Sequence, residues 1–344
     1  MARNESKTKE ITSSIEKWFL KTARVFPWRE DDFPWGRIVS EFMAQQTQIE
    51  RVAERWPRMM ARFPTPESLS ESENQDILSL WQGLGYYRRA QHLKKAAEVL
   101  TEKFDGEVPS EVDDLLTLPG VGKYTAGAVS SIAFDKRVPI VDANVHRVLC
   151  RLFNNAIDPI PSAWTWEIAE KLVQVCGSPK TFNEGLMEFG AVVCTPKSPD
   201  CGCCPLRSKC EAHKKGVQNQ IPAPKKNMPR KQEHHYAVVV QHGEKLGFEK
   251  RPSKGLWADM WQVPTVDSST TLNKQEVAKL LRLDSELSQI GAFEHVLSHR
   301  IISFTVFSCK MIFDSRFTWF KSEDLAELPL ASAQRKVLAV HCAP

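Results

Sequence analysis

Four cysteines place the strongest constraint on the fold of this chain. Cys194, Cys201, Cys204 and Cys210 follow the spacing C-x6-C-x2-C-x5-C within one short segment. Four thiolates can hold zinc or an iron–sulfur cluster. Structural zinc usually takes two C-x2-C pairs that lie far apart in sequence, and here only Cys201 and Cys204 form such a pair, so the spacing favours a cubane cluster. Cys203 lies off the spacing and is predicted to be a bystander.

A set of disulfides or of buried free thiols is the alternative for these cysteines. Nine cysteines are an odd number, and Met1 to Ser14 is polar, with no apolar stretch that resembles a secretory signal. We therefore expect a reducing, intracellular location, the cytoplasm or nucleoid if the source is bacterial. The 344 residues, 42% of them hydrophobic, suffice for two domain cores, and the net charge of +4 weakly favours a polyanionic partner.

A glycine motif upstream of the cysteines predicts contact with a nucleic acid backbone. Leu118 to Gly122 reads LPGVG and lies between the apolar pair Leu115-Leu116 and the small-residue run Tyr124 to Ala128, a pattern typical of a helix-hairpin-helix. Gly120 and Gly122 allow positive φ angles and let backbone N–H groups approach a phosphate at the start of the second helix. Taken alone, the motif fits a plain glycine turn equally well.

The order of the motifs resembles a known family. A hairpin, an aspartate at Asp142 within Val141 to Val145, and a downstream cysteine loop are similar to the helix-hairpin-helix DNA glycosylases of the endonuclease III superfamily. Ser40 to Gln48 reads SEFMAQQTQ and resembles the S-E-x-M-x-Q-Q-T signature of the MutY-type adenine glycosylases. Further family motifs follow in the same order over residues 10 to 212: Phe26 to Arg29, Trp81 to Arg89 and Phe182 to Glu184.

The resemblance implies a mostly α N-terminal helix-hairpin-helix glycosylase fold with an iron–sulfur loop, followed by a smaller α+β Nudix-like domain. Hydrophobic spacing agrees, because it is helical before residue 210, whereas Tyr236 to Val240 and Ile302 to Ser308 are typical of strands. Lys274 to Arg282 and Ser332 to Val340 are predicted helices. The expected division is a glycosylase domain at 1–213 (a hairpin-containing barrel at about 24–136, and a cluster subdomain from 1–23 and 137–213), a basic Pro-containing linker at 214–232, and a Nudix-like domain at 233–344.

The resemblance assigns the Nudix-like domain to reading the base opposite the adenine. Hydrolase activity is not expected, because the acids between Thr265 and Glu286 are scattered rather than clustered on one helix. Ser298 and His299 match two residues of the family's F-S-H segment, and Leu297 replaces its aromatic residue. A polar turn before the strand is the alternative for both.

Two carboxylates are the expected catalysts, because adenine is a poor leaving group that needs a proton and leaves a cationic sugar. Glu41, expected at the start of a helix beside Phe42 and Met43, is implied to be the acid. Asp142 is implied to be the ionised second carboxylate. Taken alone, Glu41 would complement a helix dipole and Asp142 would cap a helix over Ala143 to Phe153.

Tyr124 stands where bifunctional relatives carry a lysine that forms a Schiff base, and Lys123 is one place too early. The resemblance therefore implies a monofunctional enzyme. It also implies the remaining contacts: Tyr124 and Asn144 to the sugar and water; Trp28, Arg29 and Glu184 to adenine; Gln46, Leu84 and Tyr86 as wedges in the base stack; Thr47 to 8-oxoguanine; Gly120 and Gly122 to phosphate.

The implied function is excision of adenine paired with 8-oxoguanine or guanine in duplex DNA by a monomer that carries a 4Fe-4S cluster. A mismatch thymine or uracil glycosylase of the same superfamily is the first alternative. An iron–sulfur electron carrier is the alternative from another class, and neither the hairpin nor the chain length fits it.

Overall fold

A computed structural model describes residues 2–30, 33–156, 162–223 and 229–342. The chain forms two compact units, which we call the helical unit (Met1–Ser70 with Lys95–Lys226) and the sheet unit (Glu71–Lys94 with Asn227–Pro344). The predicted fold class is confirmed, with helices first and a smaller sheet-containing part at the C-terminus. Glu71–Lys94 groups with the C-terminal residues, which the sequence did not lead us to expect. Residues 224–228 of the predicted linker lie outside the described residues.

Helices dominate the described residues before residue 230. In chain order they are α1 (Ala2–Thr22), α2 (Pro27–Glu30), α3 (Pro34–Ala44), α4 (Ile49–Arg62), α5 (Pro66–Ser70), α6 (Asn74–Leu80), α7 (Arg88–Lys103), α8 (Val112–Leu116), α9 (Lys123–Ala133), α10 (Ala143–Leu152), α11 (Ala163–Val175), α12 (Pro179–Val192) and α13 (Glu211–Lys214). Across the described ranges, no helix is both long and apolar enough to span a membrane.

The helical unit is held together by a core that joins its first helix to α10, α11 and α12. Ile11 and Ile15 of α1 pack with Leu149, Leu172 and Phe182, and all five side chains are buried. This core brings the N-terminal helix against the segment that leads into the cysteine loop.

The hairpin between α8 and α9 has the geometry that the glycine motif predicts at one of its two glycines. Gly120 has φ 83°, a backbone conformation that would be strained in a residue with a side chain. Gly122 has φ −104°, so the expected positive φ is wrong there. It is instead the N-cap of α9, where an added Cβ would meet open space. This open space would let a ligand approach the backbone of Gly122 closely.

The described residues of the sheet unit form one mixed sheet of seven strands. They are β1 (Lys231–His242), β2 (Lys245–Lys250), β3 (Trp261–Gln262), β4 (Thr265–Ser268), β5 (Ser288–Val296), β6 (Arg300–Lys310) and β7 (Thr318–Lys321). The order is β3-β2-β1-β6-β5, with β4 paired to β1 and β7 to β2. Strands β1 and β6 are parallel, whereas β5 and β6 form an antiparallel hairpin.

Helices cover the central strand β1. Tyr236, Val238 and Val240 share a core with Val277 of α14 (Lys274–Leu281), while α15 (Ser332–His341) packs against β1, β5 and β6. The predicted strands and both predicted helices are confirmed. The unbroken apolar run of β1 follows from its central place, because a strand covered on both faces has no polar side.

Candidate active site

Glu41 lies in the last turn of α3, and the expectation that it starts a helix is wrong. Pro34 begins α3, since a proline at the first helical position loses no intrahelical hydrogen bond. At the C-terminal end, the helix dipole disfavours a carboxylate. Glu41 is also only 5% exposed. Burial therefore raises its pKa, with Arg37 and Tyr124 acting to lower it and Glu184 and Asp142 acting to raise it.

Asp142 is both the N-cap of α10 and a neighbour of Glu41. Its Oδ1 accepts a hydrogen bond from Val145 N at 2.7 Å, and its Oδ2 accepts one from Asn144 Nδ2 at 2.9 Å. Burial raises the pKa of Asp142, whereas these hydrogen bonds and the charge of Arg147 act to lower it. The cap fixes the carboxylate in place, and the charge of Asp142 acts to raise the pKa of Glu41.

Tyr124 enters the same site from the first turn of α9, directly after the hairpin. Its hydroxyl donates to Met187 Sδ at 3.9 Å and interacts with Glu41. Burial, together with the charges of Glu41 and Asp142, raises the pKa of the Tyr124 phenol well above its ordinary value. Tyr124 is therefore a neutral hydroxyl beside the two acids.

Of the three residues expected to bind adenine, Trp28 is a buried ring, and Arg29 and Glu184 form an ion pair. Trp28 is 5% exposed and stacks on Phe26 with ring centroids 4.9 Å apart, so its ring belongs to the protein core in this conformation. Arg29 Nε lies 3.4 Å from Glu184 Oε1. The two atoms do not have the geometry of a hydrogen bond. No other described residue accepts a hydrogen bond from this buried N–H group.

Three residues that the sequence analysis did not single out extend this ion pair into a row. Arg37 Nη2 donates to Glu184 Oε1 at 2.9 Å, and Arg29 Nη2 donates to Glu188 Oε2 at 3.2 Å. Arg24 Nε donates to Glu188 Oε1 at 2.6 Å. A signal for Arg37 was present, because Arg37 and Glu41 are the two charged residues of the mostly apolar helix α3. Glu188 and Arg24 carry no comparable signal.

The segment around Tyr86 belongs to the sheet unit and meets Ser298 there. Ser298 and His299 are exposed in the turn between β5 and β6. The Tyr86 hydroxyl lies 2.5 Å from Ser298 Oγ, and Tyr86 is 46% exposed. Leu84 is only 4% exposed, so it is not available as a wedge in this conformation. The guanidinium of Arg89 holds this loop by donating to Leu84 O at 3.1 Å and to Gly85 O at 2.9 Å.

Gln46 and Thr47 lie in the helical unit, in the turn that follows α3. Gln46 is exposed with φ 55°, and Thr47 Oγ1 donates to Gln45 O at 3.4 Å. Helix α3 ends at Ala44, and Gln46 with its positive φ directly follows the C-cap residue Gln45. The turn therefore presents these side chains at the helix end that also carries Glu41.

The four spaced cysteines line one cavity, together with apolar residues such as Phe189 and Leu206. Cys203 is exposed and lies outside that lining. Burial raises the pKa of the Cys204 thiol to about 12. In the described part of the chain, no three Cys, His, Asp or Glu side chains converge closely enough to hold one metal ion.

Two buried arginines of α10 hold the start of the cysteine loop. Arg147 Nε donates to Cys194 O at 2.9 Å and its Nη2 donates to Asn144 Oδ1 at 2.9 Å. Arg151 donates to Thr195 O at 2.6 Å and to Pro196 O at 2.9 Å. The helix that Asp142 caps is thus bonded directly to the segment that carries the first cysteine.

Comparison with known proteins decides the family. Residues 39–180 match the HhH-GPD superfamily of base excision DNA repair proteins, and residues 235–340 match the NUDIX domain. The adenine DNA glycosylase of Homo sapiens is 30% identical over 98% of this chain and 75% of its own length, and that of Rattus norvegicus is 30% identical over 95% and 77%. This chain belongs to the adenine DNA glycosylase family. The predicted family and its DNA N-glycosylase activity are confirmed.

Solved structures support the same fold for the helical part. A thermostable thymine-DNA glycosylase is 32% identical, with a TM-score of 0.58, over 62% of this chain and 100% of its own. Endonuclease III in a non-covalent DNA complex is 25% identical, with a TM-score of 0.52, over 62% and 98%. The adenine glycosylases match almost the whole chain, so they outweigh the thymine-specific alternative.

The buried ion row predicts an acid-sensitive contribution to stability. Burial alone would raise the pKa of Glu188, but hydrogen bonds and charges from Arg24 and Arg29 lower it below its ordinary value of 4.5. A carboxylate with a lowered pKa stabilises the folded state above that ordinary value, and the contribution is lost as pH falls through the folded pKa. Because Arg24 is partly exposed, we expect Glu188→Gln to reduce the free energy of unfolding by about 1–3 kcal/mol at neutral pH.

Urea denaturation at pH 7.5 and at about pH 4 checks this. The difference between Glu188→Gln and wild type should shrink at the lower pH. Glu170→Gln, at an exposed position in α11, is the matched control and should leave the stability unchanged at both values. An equal loss for Glu188→Gln at both pH values would contradict the ionic role.

Proposed function

We propose that this enzyme excises adenine paired with 8-oxoguanine, or with guanine, from duplex DNA, and that it acts as a monofunctional glycosylase and as a monomer. The observation that carries the proposal is a buried carboxyl group, Glu41, facing a capped carboxylate, Asp142, and a neutral phenol, Tyr124. All three residues belong to one chain, which is consistent with a monomer. The relatives named above are adenine DNA glycosylases, and this set fits the two demands of that reaction.

Glu41 supplies the proton. Burial keeps its carboxyl group protonated to higher pH than an exposed glutamate, so it can donate to a ring nitrogen of adenine. The N-glycosidic bond then breaks, and its electron pair stays with the departing adenine. This step leaves a cationic sugar carbon that needs a negative charge nearby.

Asp142 supplies that charge. The hydrogen bonds from Val145 N and Asn144 Nδ2 favour its ionised form, and they hold the carboxylate still while the cation develops. Water then adds to the sugar carbon and loses a proton to the solvent or to Asp142. The products are free adenine and an intact strand with an abasic site.

Tyr124 and Asn144 support the monofunctional assignment. A phenol forms no imine with the sugar, and the amide N–H of Asn144 donates a hydrogen bond to Asp142. The neighbouring amine is also engaged elsewhere, because Lys123 Nζ lies 4.1 Å from the centre of the Trp166 ring. Strand cleavage through a Schiff base therefore has no amine at the expected place.

Adenine recognition and DNA contact are assigned to residues on both units. The free Nε–H of Arg29 and the carboxyl group of Glu184 offer a donor and an acceptor to an extruded base, while Trp28 stacks on Phe26. Gly120 and Gly122 would approach phosphate, and Gln46 and Thr47 would contact the duplex beside the lesion. Tyr86 is the exposed wedge, whereas Leu84 would have to leave its buried position to join it.

The four cysteines are proposed to hold a 4Fe-4S cluster. A cubane takes one thiolate per iron, so its ligands surround a volume rather than a point, which suits four cysteines around one cavity that do not converge on a single ion. Arg147 and Arg151 donate mainly to carbonyl oxygens. Their positive charges are thus available to balance a negatively charged thiolate cluster, which when bound holds the loop in one conformation.

The acid role predicts that Glu41→Gln retains DNA binding and loses adenine excision by at least about a hundredfold, because an amide fills the same space but delivers no proton. Single-turnover kinetics on a duplex with adenine opposite 8-oxoguanine measures the rate, with alkali treatment to reveal abasic sites. Glu54→Gln, an exposed glutamate of α4, is the control and should match wild type. A Glu41→Gln rate within a few-fold of wild type would move the acid role elsewhere.

The cluster assignment predicts about four irons per chain in the purified enzyme and little zinc. Cys201→Ala should reduce the iron content, whereas Cys203→Ala, the matched control in the same loop, should leave it unchanged. Elemental analysis with visible absorption checks this. Stoichiometric zinc without iron would overturn the assignment.

The reader assignment predicts that Ser298→Ala with His299→Ala lowers the preference for 8-oxoguanine over guanine by roughly ten- to a hundredfold, since one hydrogen-bonded readout contributes about 1–3 kcal/mol. Excision rates opposite both bases give the ratio. Tyr86→Phe is the control, because it removes the hydrogen bond to Ser298 and keeps both the ring and the serine. An unchanged ratio in the double variant would refute the assignment.

A further inference from the structure

Arg37 occupies a position between two functional acids. Its Nη2 donates to Glu184 Oε1 at 2.9 Å and to Trp28 O at 3.4 Å, while its Nη1 lies 3.9 Å from Glu41 Oε1. The side chain is only 7% exposed. Arg37 lies one helical turn before Glu41. Because it is buried, it does not act as a solvent-exposed surface charge.

The two distances show that the guanidinium of Arg37 interacts more strongly with Glu184 than with Glu41. At 2.9 Å Glu184 accepts a charge-assisted hydrogen bond from Arg37, which fixes the orientation of its carboxyl group. At 3.9 Å Glu41 is beyond hydrogen-bond range and senses only the charge. A direct hydrogen bond from Arg37 would ionise Glu41 and abolish its use as an acid, whereas no cation at all would leave the proton bound too tightly for efficient transfer.

The surroundings of Glu41 leave Arg37 as its cationic neighbour. The other groups that act on Glu41 are Tyr124 of α9, Glu184 of α12 and Asp142 at the start of α10. Helix α2 contributes Arg29 through Glu184, and the buried residues of α4 are apolar. Arg24 and Arg29 pair with Glu188, and Arg37 pairs with Glu184.

We propose that Arg37 is a positioning residue for the reaction: Glu41 and Glu184 share its guanidinium, and this sharing sets the pH range in which Glu41 delivers its proton. The inference rests on the proposed acid role of Glu41. Arg37 itself touches neither base nor sugar in this assignment. It acts by coupling the group that binds adenine to the group that protonates it.

The test is the pH dependence of the single-turnover excision rate. The rate falls at high pH as Glu41 loses its proton, and Arg37→Met removes the cation that favours this loss. We expect the alkaline fall to move upward by about one pH unit or more, a tenfold change in proton binding. Arg37→Lys, which keeps a charge at the site, should move it less than half as far. DNA affinity at pH 7.5 should change less than about threefold, because Arg37 is buried.

Two further variants keep the test decisive. Arg24→Met is the matched control, since Arg24 pairs with Glu188 and Glu50 and not with Glu41, and its alkaline fall should coincide with that of wild type. If Arg37→Met does not fold, Arg37→Met combined with Glu184→Gln removes both charges of the buried pair. Its alkaline fall should then lie closer to that of wild type than the single change predicts, because Glu184 acts on Glu41 in the opposite sense.

The outcomes separate this inference from the proposed function. A wild-type rate that does not fall at high pH would argue against Glu41 as the acid, and the role of Arg37 would fall with it. An alkaline fall in wild type that Arg37→Met leaves in place would overturn the role of Arg37 alone. A loss of DNA affinity as large as the loss of rate would show instead that Arg37 contacts DNA.

Discussion

Helix α10 is the element on which the two chemical parts of the helical unit depend. Its N-cap is Asp142, and its side chains Arg147 and Arg151 donate to the backbone from Cys194 to Pro196. Both arginines are buried, and a buried guanidinium is stable only when its N–H groups find acceptors. The carbonyl groups at the start of the cysteine loop provide them. Any change in the shape of that loop therefore acts on the helix that holds Asp142.

Burial acts on three acids of this site, and the direction of the resulting pKa shift depends on their hydrogen-bond donors. Glu188 is buried between two arginines, and their hydrogen bonds outweigh burial and lower its pKa. Burial raises the pKa of Glu41, because it outweighs the charge of Arg37 and the hydrogen bond from Tyr124. Burial also raises the pKa of Asp142, although its capping hydrogen bonds act to lower it. The chemistry available to each acid follows from the donors that reach it and not from the type of side chain.

Short patterns in the sequence were enough to predict the family, the order of helices before strands, and the cap at Asp142. They were also sufficient for α14 and α15, whose apolar positions recur at helical spacing. The placement of Glu41 at the start of a helix was wrong, although Pro34 is a local signal for the true start of α3. Gly122 was also misjudged, because capping and open space, rather than a positive φ, account for a glycine there.

The sequence by itself determined the spacing of the four cysteines, the hairpin and the local partners of Asp142, because these depend on residues within a few positions of one another. Only the tertiary structure brought Arg37 to Glu184, 147 residues away, and Tyr86 to Ser298, 212 residues away. It alone decided that Leu84 is buried and that Trp28 packs against Phe26. The physical reason is that desolvation and charge pairing depend on distance in space, which a linear pattern does not record once the chain has folded back on itself.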